Sequence, residues 1–459
     1  MDILIKNGTV INASGRCTAD VAVSGGKIIS VGPSITPAPH TETIDAAGLL
    51  VLPGAVDAHT HFELSFGEFS TADDFASGTR AAACGGVTTV IDFITPEVNE
   101  SLCDAYRKRN ELAAPKACID YNFHMCLTSL TDAVIDEMES ITEAGMPGFK
   151  LFMTYAFRLS DVDIYKALRR SKEIGALIMI HAEDHDELES LRAKFIAEGK
   201  TDAWYHYLSR PESVETAAVE KAVGLAREAD APLYIVHLAC DGGMDIVRKA
   251  RAAGHHIYAE TCPQYLNFTS DVYKREDGRN FICSPPVKGE KSREALWQGI
   301  HNGDISVVAT DHCPFLLNEK NRGSEDFTKT PNGVMGVETL YPYMLSEANN
   351  GRISFERAAG LCCLNPARLF GLDHIKGSVT PGMDADIVLY DPRKEFTVTQ
   401  TGMHSDLDHT IWEGIRLNGY PVRTYSRGML VYRDGEFTGA KGHGRFIPGK
   451  RFTPLQPPR

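Results

Sequence analysis

Several protein classes are excluded by what the sequence lacks. Its 11 cysteines contain no CxxC pair, so neither a zinc ribbon nor a paired redox motif is present, and an odd number in a long chain fits free thiols better than a disulfide framework. No stretch approaches the ~18 uninterrupted apolar residues of a membrane-spanning helix. The start, Met1-Asp2-Ile3-Leu4-Ile5-Lys6-Asn7-Gly8, shows no basic segment followed by an apolar one, so a cytoplasmic protein without a membrane partner is expected. Basic residues are in the minority, 47 Lys plus Arg against 61 Asp plus Glu, and nowhere form a stripe. At a net charge of −14, nucleic acid is not an expected partner.

What is present is an ordinary globular balance over 459 residues, with 43% hydrophobic and 24% charged positions. Both ends are strand-like. Ile3, Ile5 and Val10 recur among polar residues, and Asp20–Val31 reads strand, Gly25-Gly26 turn, strand. The same character returns in 382–390 and 425–435. Between them, apolar runs such as Leu177–Ile180 and Leu233–Val236 alternate with helix-like segments, one opening at Pro211 and running to Ala229. This predicts an α/β fold: a (β/α)8 TIM-like barrel over 53–375 beside a small β-sandwich built from 1–52 and 376–440, followed by an extended tail, 441–459. Cys362-Cys363 reads as helical and needs no redox role.

The strongest local signal is Asp57-Ala58-His59-Thr60-His61 after the apolar run Leu49–Leu52. Residues two apart on a strand share a face, so His59 and His61 can present two imidazoles to one ion. Alone, such a pair is as readily two loop histidines. His181, His237 and Asp311, however, each directly follow a candidate strand, and in a (β/α) barrel the carboxyl ends of the strands gather at one face. Imidazole and carboxylate suit Zn²⁺ or Mn²⁺, and the lack of clustered cysteine ligands points to an open catalytic site. His185, His206, His255, His256 and His443 read as surface or structural, and His312 stays open. Lys150 is an ammonium among apolar neighbours. Buried near cations it becomes a neutral, nucleophilic amine; snorkelling to solvent is the reading the local sequence favours.

Together, the HxH segment, Lys150 with Tyr155, Ile180-His181-Ala182-Glu183, Val236-His237-Leu238, Ser284-Pro285-Pro286, Thr310-Asp311-His312-Cys313 and Pro331-Asn332-Gly333 resemble the dihydropyrimidinase and D-hydantoinase branch of the amidohydrolase superfamily. The resemblance spans the chain. It implies a hydrolase that opens small cyclic ureides or imides, hydantoins or dihydropyrimidines, to N-carbamoyl amino acids. It implies two divalent ions bridged by a carboxylated Lys150, one held by His59, His61 and Asp311, the other by His181 and His237. By the same resemblance, a hydroxide between the ions attacks the ring, Asp311 is general base and acid, Tyr155 bonds the oxyanion, and backbone groups at Ser284 and Asn332 hold the substrate. Phe62, Leu64, Phe66, Phe152 and Phe157 are implied as an apolar gate around the substituent. The likeness also implies a homotetramer, or a homodimer, with the tail around Gly444-Arg445-Phe446 reaching a neighbour. Three rivals stand nearby. A dihydroorotase-like enzyme has arginine where this chain has Glu63, whose charge would repel a substrate carboxylate; the others are an allantoinase-like ureide hydrolase and a non-catalytic scaffold homologue.

Overall fold

The computed structural model describes residues 1–455; the end of the expected tail, 456–459, lies outside the described residues. Eight parallel strands, Ala55–Thr60, Val87–Ile94, Asp120–Cys126, Gly148–Phe152, Leu177–His181, Leu233–Ile235, Ile257–Thr261 and Val307–Val308, pair in sequence order. The ring closes through a bridge between Thr60 and His312. The buried Asp57 carboxylate reinforces it, accepting from the Thr310 backbone N–H at 3.1 Å and the Thr310 hydroxyl at 2.6 Å.

Local chemistry sets the crossover helices. Helix Asp161–Ile174 begins at Ser160, whose hydroxyl accepts from the Asp163 N–H, and ends at Gly175 in the left-handed region. Helix Glu212–Ala229 follows Pro211 and carries Glu212 and Glu215 in its first turn, where the helix dipole favours anions. Strand alternation then splits the apolar side chains into two layers. Val56, Ile91, Met179, Tyr234 and Val307 fill the barrel interior, while Phe149, Leu151, Ile178, Ile180 and Ile257 pack outward with the helices.

Both chain ends enter one nine-stranded sheet. Strands Gly15–Ser24 and Lys27–Gly32 form the expected hairpin through Gly25 and Gly26, at φ 56° and 76°, a conformation that side-chain-bearing residues adopt only with strain. Leu50–Pro53 pairs with Ile387–Thr397 and so joins the amino-terminal half to the carboxy-terminal strands. Ile5, Val21 and Val51 pack with Ile387, Leu389 and Tyr425 in its core.

The tail runs beneath the barrel. Tyr121 N–H donates to Arg445 O at 3.0 Å, Ile447 N–H to Tyr121 O at 2.8 Å, and Phe452 N–H to Gly175 O at 2.8 Å. Ile447, Phe452 and Leu455 enter the interior layer from below, and Phe446 stacks on Phe123. Gly444–Phe446 lie against their own barrel, where backbone groups at the strands' amino ends offer partners that would otherwise stay unpaired. Among the described residues no helix is long and apolar enough to cross a membrane.

Lys376 ties the parts together. Its buried Nζ lies 2.6 Å from Asp120 on the barrel, 2.6 Å from Asp386 and 3.0 Å from Asp384, with Arg427 3.3 Å from Asp120 and Arg445 of the tail 3.8 Å from Asp384. Lys376→Met would leave the buried Asp386 without a cation and Asp120 and Asp384 with weaker pairing, so a stability loss of about 3–5 kcal/mol is expected. Thermal unfolding checks this; a midpoint within ~1 °C of wild type would show the cluster to be dispensable.

Candidate active site

The site lies at the opposite, carboxyl end of the strands. Val56 and Ala58 belong to the interior layer, so strict alternation would turn His59 and His61 away; a register irregularity between Asp57 and Thr60 brings them back. His59 Nδ1 lies 2.7 Å from Glu260 Oε1, which also accepts the His237 backbone N–H at 3.0 Å, while Glu260 Oε2 accepts the Tyr234 hydroxyl at 2.8 Å. An ionised carboxylate only accepts, so His59 Nδ1 carries the proton that faces Glu260, and Nε2 is the nitrogen that can serve an ion. That Nε2 is buried, makes no hydrogen bond among the described residues, and stands 3.1 Å from Asp311 Oδ1; His61 Nε2 approaches the same oxygen at 3.2 Å. Ligand atoms of His59, His61 and Asp311 all lie within 4.8 Å of one another. Burial opposes charge on His59, but Glu260 and Asp311 outweigh it and raise the imidazole to about 9. Burial likewise opposes the Asp311 anion, and His59 and His61 nevertheless hold it well below the usual carboxylate range. Both shifts describe a spot that favours positive charge.

A second pair faces it. His181 Nε2 lies 2.9 Å from Glu183 Oε2, a carboxylate also clasped by Arg210. Its proton is thereby placed on Nε2, and Nδ1 faces His237 Nε2 at 3.0 Å. His237 Nδ1 is buried with no hydrogen-bond partner among the described residues. Burial works against the Glu183 charge, yet Arg210 and His181 bring the group down to about 2. Donor sets of bare imidazole nitrogen and carboxylate oxygen fit divalent cations.

Lys150, 2% exposed, does not snorkel; its Nζ sits over the rings of Phe93 and Phe152, 5.1 and 5.3 Å from their centroids. Burial, opposed by Asp311 and Glu260, pulls it down to about 8. Its charge acts on His59, His181 and His237 alike. Tyr155 stands 5.2 Å ring to ring from His181; burial raises its hydroxyl to about 12, with Arg210 and Ser284 working the other way. Asn332 Nδ2 donates to Ser284 Oγ at 2.9 Å. Phe152 and Phe157 pack edge to face beside Tyr155, with Phe157 partly exposed.

Other expectations change. Phe62 is not a gate residue: it is 0% exposed, wedged between Phe75 and His312, because Gly78 leaves room where a Cβ would clash with its ring. Leu64 and Phe66 precede and enter the short hairpin Ser65–Ser70, where Phe66 meets Phe69 and Phe315. Glu63 is not a free repelling charge, since it pairs with Lys116. His312 is structural: its Nδ1 accepts from the Gly336 and Val337 N–H groups at 3.1 and 3.3 Å, and its Nε2 reaches Asp73 at 3.0 Å. Glu260, Glu183 and Arg210 were not singled out from sequence. The one signal available was a carboxylate at the end of an otherwise apolar run, as in Ile257-Tyr258-Ala259-Glu260.

The sequence signature of the Amidohydrolase family matches residues 50–431, and the chain belongs to that family. Within it, D-phenylhydantoinase of Escherichia coli strain K12 is 44% identical over 463 residues, covering 99% of each chain. Among solved structures, dihydropyrimidinase from Brevibacillus agri NCHU1002 superposes with a TM-score of 0.97 at 37% identity, over 99% of this chain and 100% of that one. D-hydantoinase from a Bacillus sp. AR9 gives 0.96 at 38%, over 98% and 100%. The chain therefore stands in the hydantoinase and dihydropyrimidinase branch.

Glu260→Gln should keep the fold but lower divalent-metal affinity about 10–100-fold, because the amide no longer fixes the His59 proton by charge. Competition with a chromophoric chelator measures this; unchanged affinity would remove Glu260 from the role.

Proposed function

We propose that the chain is a cyclic amidohydrolase that opens hydantoin or dihydropyrimidine rings to N-carbamoyl amino acids. The observation that carries this reading is the convergence of imidazole nitrogens and the Asp311 carboxylate at the barrel mouth, beside a buried amine. His59, His61 and Asp311 would hold one ion and His181 with His237 the other, Zn²⁺ or Mn²⁺ by donor type. Two divalent ions so held lower the pKa of a water they share and polarise the substrate carbonyl. Lys150, poised near 8, has a neutral fraction at neutral pH; that amine could add CO₂ with release of a proton, and the resulting carbamate would supply carboxylate-like oxygens as metal ligands.

The remaining steps belong to side chains of this protein. Asp311, kept ionised by its histidines, accepts the proton of the attacking water and passes it to the departing ring nitrogen. Tyr155 keeps its proton at neutral pH and donates it in a hydrogen bond to the tetrahedral oxyanion. Backbone groups at Ser284 and Asn332, whose side chains are bonded to each other, meet the alternating N–H and C=O groups of the ureide edge. Phe152 and Phe157, with Leu64 and Phe66, would border the substituent and favour aryl or alkyl groups.

The test is a turnover panel of dihydrouracil, 5-phenylhydantoin, allantoin and dihydroorotate with metal and bicarbonate supplied. Hydrolysis of either of the first two is expected; turnover of allantoin or dihydroorotate alone would refute the assignment. Asp311→Asn should lose at least about 10²-fold in kcat, since the amide cannot shuttle a proton. Lys150→Ala should lose both bound metal and turnover, with partial recovery of both in short carboxylic acids, and near-normal activity would contradict the role given to the lysine.

A further inference from the structure

Lys320 ends the short helix Leu317–Lys320, in the segment that joins Asp311 to Asn332. It is 0% exposed, and its Nζ donates to three backbone carbonyls, Ile282 at 2.9 Å, Pro331 at 3.0 Å and Gly333 at 2.6 Å. Burial lowers its pKa to about 7, with Cys283, Cys313 and Glu319 working the other way; the three acceptors account for all three protons of the charged form. A buried ammonium is costly, and an apolar chain of the same length would fill the volume without that cost. The charge therefore matters for what it grips. Ile282 stands two residues before Ser284, and Pro331 and Gly333 bracket Asn332. The same loops meet directly, Gly333 N–H donating to Ile282 O at 3.0 Å and Asn332 Nδ2 to Ser284 Oγ at 2.9 Å. Gly333, at φ 153°, lies so close to Cys313 that an added Cβ would fall 2.1 Å from its carbonyl oxygen. The Asn332 loop is thus pressed onto the strand end that carries Asp311.

We propose that Lys320 is a positioning residue for substrate, a buried clip that sets the spacing of Ser284 and Asn332 so that both meet the cyclic ureide at once. This rests on the reading that backbone groups at those two residues hold the ureide.

Steady-state kinetics of the metal-loaded enzyme with dihydrouracil and 5-phenylhydantoin test it. Lys320→Met should keep wild-type metal content and raise KM about tenfold or more, with kcat within about threefold. An unchanged KM overturns the proposal. So does a parallel fall of kcat and metal content at constant KM, which marks a general structural loss. Should Lys320→Met not fold, Lys320→Arg is read the same way: a planar guanidinium cannot place its donors on three carbonyls gathered round one point. A raised KM at wild-type metal content supports the clip, and a wild-type KM overturns it. Wild-type enzyme that turns over neither compound refutes the underlying assignment instead, a result distinct from an unaffected variant.

Discussion

A carboxylate that can only accept a hydrogen bond decides which nitrogen of an imidazole is bare. Glu260 does this for His59 and Glu183 does it for His181, from inside a protein where neither group has water as an alternative partner. Once those two protons are fixed, lone pairs must point into the barrel mouth. The rest of the site follows as compensation. Arg210 neutralises Glu183, Tyr234 and the His237 amide satisfy Glu260, and Lys150 lies where its charge is least welcome.

The barrel contributes position and accepts strain. Tyr155, His237 and Asp311 adopt φ 73°, 38° and 52°, a region that non-glycine residues enter at a cost of about 1–3 kcal/mol each. Each stands just beyond a strand, where a sharp turn of the backbone aims the side chain back over the mouth. The buried network around Lys376 holds the far end of the barrel to the sheet and tail. Rigidity below and strain above go together, since a loose frame would relax the turns.

Much of this was legible in the sequence because it rests on periodicity. Strand-terminal positions of His181, His237 and Asp311 follow from where apolar runs stop, and the helix from Pro211 to Ala229 from its spacing. Lys150 was ambiguous because local sequence records neighbours along the chain, whereas its burial depends on Phe93, from another strand. Phe62 and Glu63 misled for the same reason: a glycine in the next helix and a lysine 53 positions away decide where they point. Lys320 was invisible, since its partners are backbone carbonyls, which no sequence pattern names.

The tail carries a consequence for how the molecule is made. Residues 445–452 lay the floor of the barrel, and the strands they pair with lie hundreds of positions earlier. During synthesis those strands emerge first and must wait with an open underside until almost the entire polypeptide has left the ribosome. The floor of the barrel can therefore be laid only after nearly all of the rest of the chain has emerged.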